Sequence, residues 1–343
     1  MASQPTVADV GERAIVDRIR ARVPPSAAWV RVGIGDDAAV MEPPRRLLEV
    51  VTTDALLEHV HFERALVGAG DVGFKALAVN LSDLAAMGAL PRAATLSLAL
   101  PDALPLADFD ALVEGLTGLA LEQAVALVGG NITRSPGPLV VDVTAFGTVH
   151  PRRVLTRGGA RPGDGLYVSG LVGGAAAGLA WLRRGAAASG QASPDEPVAA
   201  AIACHRRPNP RVRLGVLVGR NRAASACVDL SDGFADAVRQ LAASSRAGAV
   251  VDAEAVPLHA GTAGAWPDQA DPLACALGGG EDYELLFAVP RRARRAFEAI
   301  ARRPGLPPVS RVGEVVAGRD VVLRRGGREE PMPTGFVHFA SVG

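Results

Sequence analysis

The chain has 343 residues, too long for one ordinary hydrophobic core and suited to about two domains. Hydrophobic residues at 49% and charged residues at 21% exclude a disordered chain, and aromatics at 4% leave a core of Ala, Val and Leu. The 36 basic and 36 acidic residues cancel, which excludes nucleic acid or a membrane surface as a partner held by bulk charge.

In chain order, apolar positions at Val10, Ala14, Ile15 and Ile19 predict a helix over 8–22, closed by Pro24 and Pro25. A short strand over 28–32 leads into the turn Gly33-Ile34-Gly35-Asp36-Asp37, and a second strand over 47–53 ends in Thr-Thr-Asp. A helix over 72–87 closed by Gly88, a strand over 93–100 and a helix over 108–123 follow. Strands over 126–128 and 139–149 flank a Gly-rich turn at Gly129-Gly130-Asn131. Pro and Gly punctuation after residue 150 marks a domain boundary.

The second half opens with a strand at Leu166, then an Ala-rich helix over 174–184, a Gly/Ala/Ser stretch over 185–196, and helices over 197–204 and 210–219. A strand over 226–228 enters Asp-Leu-Ser-Asp-Gly and a helix to about 244. The tail carries a strand over 285–289, a helix over 291–302 and late strands over 309–324. Strands and helices mix without regular βαβ repetition, so the expected class is α+β.

Cys204, Cys227 and Cys275 are far apart and in no metal spacing, which argues against a disulfide framework or zinc site and for a reducing compartment. The N-terminal segment is polar and amphipathic without an apolar signal core, and no apolar run reaches transmembrane length. The expectation is a cytoplasmic protein with no membrane and no nucleic-acid partner.

The aspartates are the most informative residues. Asp36, Asp37, Asp54, Asp83, Asp229 and Asp232 sit at strand ends or in apolar segments, and 33–42, 50–58, 76–91 and 225–236 contain no Lys or Arg. Lys75 is the only lysine in the chain. A carboxylate in such surroundings costs several kcal/mol unless it is paired or binds a cation. Oxygen donors without sulfur favour a hard cation such as Mg²⁺. Asn80 with Asp83, and Asp229 with Asp232, are three apart and share a face if each pair is helical. The plain alternative for each Asp is a turn or N-cap residue.

The turns at 128–134 and 278–284 are rich in glycine, which lets backbone N–H groups approach phosphates. Neither a P-loop nor a Rossmann fingerprint is present. Arg134 and Arg157 are candidate phosphate contacts. His59 and His61 share a face if their segment is a strand, and a single His contacting a substrate phosphate fits better than a zinc pair.

Gly-Ile-Gly-Asp-Asp-Ala-Ala (33–39), Thr-Thr-Asp (52–54) with His61-Phe62, the run from Lys75 to Ala89, Asp-Leu-Ser-Asp-Gly (229–233) and Gly-Gly-Glu-Asp-Tyr-Glu-Leu (279–285) resemble, in this order, the motifs of the thiamine-monophosphate kinase family. The resemblance implies the two-domain α+β architecture shared with aminoimidazole ribonucleotide synthetase, with mixed sheets and helices packed on one face. It implies an ATP/Mg-binding and dimerising domain over 1–149, a second domain over 150–343, and a homodimer. The implied reaction is direct in-line transfer from ATP to thiamine monophosphate, giving ADP and thiamine diphosphate, with several Mg²⁺ ions and no phosphoenzyme. By position, Asp37, Thr52, Thr53, Asp54, Asp83, Asn131, Asp229 and Asp232 resemble the metal ligands. Gly130, Asn131, Arg157 and Ser231 resemble the ATP contacts, and His61, Glu281 and Phe336 the substrate contacts.

Two positions depart from the family pattern: Asn131 stands where Asp is usual, and His59 where a small residue is usual. The alternatives are another ATP-using enzyme of the superfamily, or a nucleotide-binding homologue whose turnover is reduced or lost through Asn131. A selenophosphate synthetase would want a reactive Cys near the N-terminus, and none precedes Cys204. A carbamoyl dehydratase typically ends in Cys, whereas this chain ends Phe-Ala-Ser-Val-Gly.

Overall fold

The computed structural model describes residues 4–25, 27–187, 194–266 and 270–336. The C-terminal Phe-Ala-Ser-Val-Gly and residues 188–193 of the predicted Gly/Ala/Ser stretch lie outside them. The chain forms two compact units: residues 1–84 with 90–150, and residues 85–89 with 151–343.

The first unit runs α1 (Val7–Arg22), β1 (Val30–Val32), β2 (Val40–Met41), β3 (Leu48–Leu57), α2 (Ala69–Ala86), β4 (Leu90–Pro101), α3 (Leu106–Glu122), β5 (Ala126–Ser135) and β6 (Val140–Val149). A four-stranded sheet has the order β3-β6-β4-β5, with β4 and β5 parallel and the other pairs antiparallel. Strand alternation sorts its two faces. Val141, Val143, Ala145, Leu96 and Leu98 are buried, on the face where Thr52 meets Asp83 of α2. Asp142, Thr144, Thr95 and Ser97 line the opposite face and are only half-buried.

Helices α2 and α3 touch backbone to backbone. A Cβ at Gly73 would fall 1.8 Å from the Leu112 carbonyl oxygen, so only glycine permits this approach. Phe109, Leu112, Val113 and Leu116 of α3 are buried, each contributing roughly 1.5–3 kcal/mol. Arg18 of α1 reaches Asp110 of α3 at 2.6 Å and fixes where α1 lies.

The second unit holds β7 (Gly165–Ser169), α4 (Gly174–Ala187), α5 (Glu196–Arg206), α6 (Val212–Asn221), β8 (Ala226–Asp229), α7 (Phe234–Ser245), β9 (Gly248–Asp252), α8 (Pro272–Gly278), β10 (Leu285–Val289), α9 (Arg294–Ala301), β11 (Val309–Val316), β12 (Val321–Arg325) and β13 (Arg328–Pro331). Its seven-stranded sheet has the order β13-β12-β9-β11-β7-β10-β8 and is mixed, with β12 parallel to β9. Phe234, Val238 and Leu241 of α7 pack with Val168, Val228 and Leu286 in the main core. Phe297 of α9 stacks near Tyr167 and Phe287, which alternate with those core residues along their strands.

Four expectations are corrected. Gly129-Gly130-Asn131 is no turn: it lies inside β5, paired with Thr95 to Ser97 of β4. Glycine is used there for proximity, because a Cβ at Gly130 would sit 1.9 Å from the Leu96 carbonyl oxygen. Asp54 does not end its strand, since β3 continues to Leu57 opposite Val140. Residues 58–62 form a turn, so His59 and His61 do not share a strand face; His59 has φ 70° and its Nδ1 lies 2.9 Å from Glu63. Asp229 ends β8 and Asp232 precedes α7, so the pair shares no helix face.

Gly130→Ala is expected to force β4 and β5 apart and cost about 1–3 kcal/mol. A thermal melt checks this, and an unchanged Tm would show that the strands yield freely.

Candidate functional site

In the first unit a cleft of about 550 Å³ opens over the polar face of the sheet. One wall is Glu12, Val16 and Ile19 of α1. A second is the loop 33–39 carrying Asp36 and Asp37, tied to α1 where Arg20 donates to the Ile34 carbonyl at 2.9 Å. The floor is the sheet, with Thr95, Ser97, Gly129, Gly130, Asn131, Asp142 and Thr144.

Strand register aligns this floor. Ala55, Asp142, Ser97 and Asn131 form one row across all four strands, and Thr53, Thr144, Thr95 and Gly129 the next. Thr53 Oγ lies 3.1 Å from Thr144 Oγ and donates toward Asp142 Oδ1 at 3.2 Å. The cleft thus brings together Asp37, Gly130 and Asn131, with Thr53 joined to its floor through Asp142 and Thr144. Thr52 and Asp54 point the other way, as alternation requires, and Thr52 Oγ donates to Asp83 Oδ2 at 2.5 Å.

The lining fits a hard cation. It contains the carboxylates of Glu12, Asp36, Asp37 and Asp142, hydroxyls and an amide oxygen, and no Lys, Arg or His. Among the described residues no three His, Cys, Asp or Glu side chains gather closely enough to hold a metal by themselves. Mg²⁺ keeps several waters and is bound through one or two carboxylates plus phosphate oxygens. On α2, one turn before Asp83, Asn80 is fully buried and its Oδ1 has no hydrogen-bond partner.

Beyond β3, His61 Nδ1 accepts from the Leu57 N–H at 3.0 Å, which places the ring proton on Nε2. Arg134 pairs with Asp102 at 2.6 Å.

In the second unit the turn from β8 into α7, the loop 279–284 and the segment ending at residue 336 converge. Glu281 N–H donates to Ser231 O at 2.7 Å, Tyr283 N–H to Leu230 O at 3.1 Å, and Phe336 N–H to Asp232 O at 3.1 Å. Asp229, Ser231, Asp232, Glu281 and Phe336 are therefore assembled by main-chain bonds, with the Phe336 ring exposed. Arg157 is exposed and lies on the separate segment 151–164.

Buried polar contacts hold the loop. His205 of α5 is buried, with Nδ1 3.0 Å from Glu281 Oε2. Arg211 forks onto the buried Glu284, which also accepts from Ser169 Oγ at 2.5 Å. Asp282 accepts from the N–H groups of Gly173 at 2.6 Å and Ala175 at 3.0 Å, at the start of α4. Burial nevertheless dominates and pushes its carboxyl up to about 7, with Glu284 and Glu281 adding repulsion. Burial also pushes the Cys204 thiol up to about 11, so it is no ready nucleophile.

Sequence reasoning missed Asp142, Ser97, Thr144 and Glu12 in the cleft, and it reads His205-Arg206-Arg207-Pro208 as no more than a helix boundary, without the contact of His205 to Glu281. The available signal for Asp142 was weak: an acid in the polar phase of Val-Asp-Val-Thr-Ala-Phe.

Known proteins resemble this chain along nearly its whole length. Residues 35–149 match the AIR synthase related protein N-terminal domain, and residues 161–326 the AIR synthase related protein C-terminal domain. The chain is 38% identical over 337 residues to the thiamine-monophosphate kinase of Escherichia coli (strain K12), covering 96% of this chain and 99% of that protein. The crystal structure of thiamine-monophosphate kinase from Stenotrophomonas maltophilia K279a has a TM-score of 0.81 and 39% identity, covering 94% of this chain and 98% of that one. AaThiL complexed with AMPPCP and TMP has a TM-score of 0.75 and 30% identity, covering 98% and 100%. The architecture is the two-domain α+β fold expected from the motifs. No helix among the described residues is long and apolar enough to cross a membrane.

Proposed function

Because the chain belongs to the thiamine-monophosphate kinase family, we propose that it transfers the terminal phosphoryl group of ATP directly to thiamine monophosphate, giving ADP and thiamine diphosphate. The observation that carries this reading is the acid-lined cleft over a hydroxyl-rich sheet face, where Gly130 bares the backbone. A lining with carboxylates and no basic side chain suits a nucleotide that arrives with its cations.

The residues that would hold Mg²⁺ are Asp37, Thr52, Thr53, Asp54, Asp83 and Asn131 in the first unit and Asp229 and Asp232 in the second. When bound, Mg²⁺ supplies charge neutralisation on the phosphate oxygens. Gly130, Asn131, Arg157 and Ser231 would contact ATP. His61, with its proton on Nε2, would donate to the phosphate of thiamine monophosphate; Glu281 and the exposed ring of Phe336 would contact the thiamine. The attacking group is a phosphate oxygen already ionised at neutral pH, so positioning matters more than a general base.

The reading includes a cytoplasmic homodimer formed through the four-stranded sheet. Its support is that β3 is an edge strand with Leu48 and Val51 exposed, and that Leu90, on β4 across the intervening β6, is exposed as well.

An ADP-release assay with thiamine monophosphate and saturating Mg-ATP tests the function. Turnover that depends on thiamine monophosphate supports it. ATP binding without turnover would replace it with a nucleotide-binding homologue, the outcome that neutral Asn131 would favour.

A further inference from the structure

We propose that Asp142 is a positioning residue of the cleft, orienting the Thr53 hydroxyl and supplying the negative charge that the sheet presents to a divalent cation. This rests on the phosphotransferase reading above.

Three observations carry it. First, the Thr53 hydroxyl has one proton and three acceptors in reach: Asp142 Oδ1 at 3.2 Å, Thr144 Oγ at 3.1 Å and the Val143 carbonyl at 3.3 Å. An ionised carboxylate is the strongest acceptor of the three. A hydroxyl whose proton is drawn to Asp142 keeps its lone pairs for another partner, as an outer carboxylate does for a metal ligand.

Second, Asp142 is the only charged member of its row. Ala55, Ser97 and Asn131 complete that row without charge. The other carboxylates lining the cleft, Glu12, Asp36 and Asp37, are exposed and come from α1 and the loop 33–39. Asp142 is thus the one carboxylate that the sheet itself contributes to the lining.

Third, the strand fixes where the carboxylate points. A strand residue between buried Val141 and Val143 has its direction fixed by the pleat, so the charge is held facing the cleft.

The test is calorimetric titration of Mg²⁺ into the full chain saturated with a non-hydrolysable ATP analogue. Asp142→Asn keeps an oxygen acceptor and removes the charge. It is expected to weaken apparent Mg²⁺ affinity by about 10-fold or more, the scale of outer-sphere substitutions, with KM for thiamine monophosphate unchanged. Adding Asn131→Asp returns a charge to the same row and is expected to recover affinity to within about threefold, as coupled sites do. Thr53→Val provides a second, independent variant: alone it should weaken Mg²⁺ affinity, and in its background Asp142→Asn should cost less than in wild type while still removing the charge.

A Mg²⁺ affinity within twofold of wild type in Asp142→Asn, or full additivity with Thr53→Val, overturns the proposal. Weakened Mg²⁺ binding in a chain whose wild type releases no ADP would support the role of Asp142 while removing the phosphotransferase reading.

Discussion

Replacing Asp83 with Asn is expected to lower kcat by on the order of 10²–10³-fold, the scale on which a lost electrostatic contact at a reacting centre is felt. Asp83 lies on α2 in a stretch without Lys or Arg, half-buried, and accepts the Thr52 proton at 2.5 Å. Thr52 and Asp54 share a face of β3, so Asp83 completes an oxygen-rich group there. Asn retains an oxygen that can accept from Thr52. A purely structural Asp83 therefore predicts unchanged kcat, whereas a charge-bearing one predicts its loss. The melting temperature of the variant separates the two readings, because a purely structural role would lower it. Unchanged turnover with a lower Tm would reverse the assignment.

Much of this was legible in the chain. Asp229, Ser231, Asp232 and Glu281 belong to two motifs that strand pairing brings together, since β8 and β10 are hydrogen-bonded neighbours. Phe336 joins them through one main-chain bond to Asp232, which no local pattern signals. The Gly-rich segment at 129–131 misled because glycine marks both turns and close strand approaches; only the Leu96 carbonyl above Gly130 distinguishes them. Asp142 was hidden for a different reason. It belongs to no motif, and its significance comes from a row across strands distant in sequence. His59 shows a local conflict: a bulky residue holds φ 70°, a conformation that suits Gly or Asn.

The loop 279–284 stores similar strain. Glu281 at φ 73° and Tyr283 at φ 49° are both non-glycine residues in the left-handed region, flanking Asp282. Such positions cost about 1–3 kcal/mol each and persist where surrounding contacts over-determine them. Those contacts are the main-chain bonds to Leu230 and Ser231 and the buried carboxylates of Glu284 and Asp282. The loop is held by two kinds of anchor, a neutralised one at Arg211–Glu284 and a titrating one at Asp282.

Asp282→Asn is accordingly expected to change how stability depends on pH. Burial raises the folded carboxyl to about 7 from an ordinary value of 3.8. Between those values the native state keeps a proton that the unfolded chain has released, so stability falls as pH rises through the window. This contribution is complete below about pH 4 and lost by about pH 7. Asn does not titrate, and because the Gly173 and Ala175 N–H groups are received by different carboxylate oxygens, its amide oxygen replaces only one of those two acceptors. The variant should therefore be less stable than wild type at pH 5. Its deficit in Tm should shrink by roughly 5–10 °C by pH 7.5, as the wild-type advantage is lost. Melting curves of both proteins at the two pH values check this. An equal deficit at both would mean that Asp282 is ionised throughout, with the N–H groups at the start of α4 outweighing burial. A shrinking deficit would mean that near neutral pH the anchor of the Glu281 loop is itself changing charge.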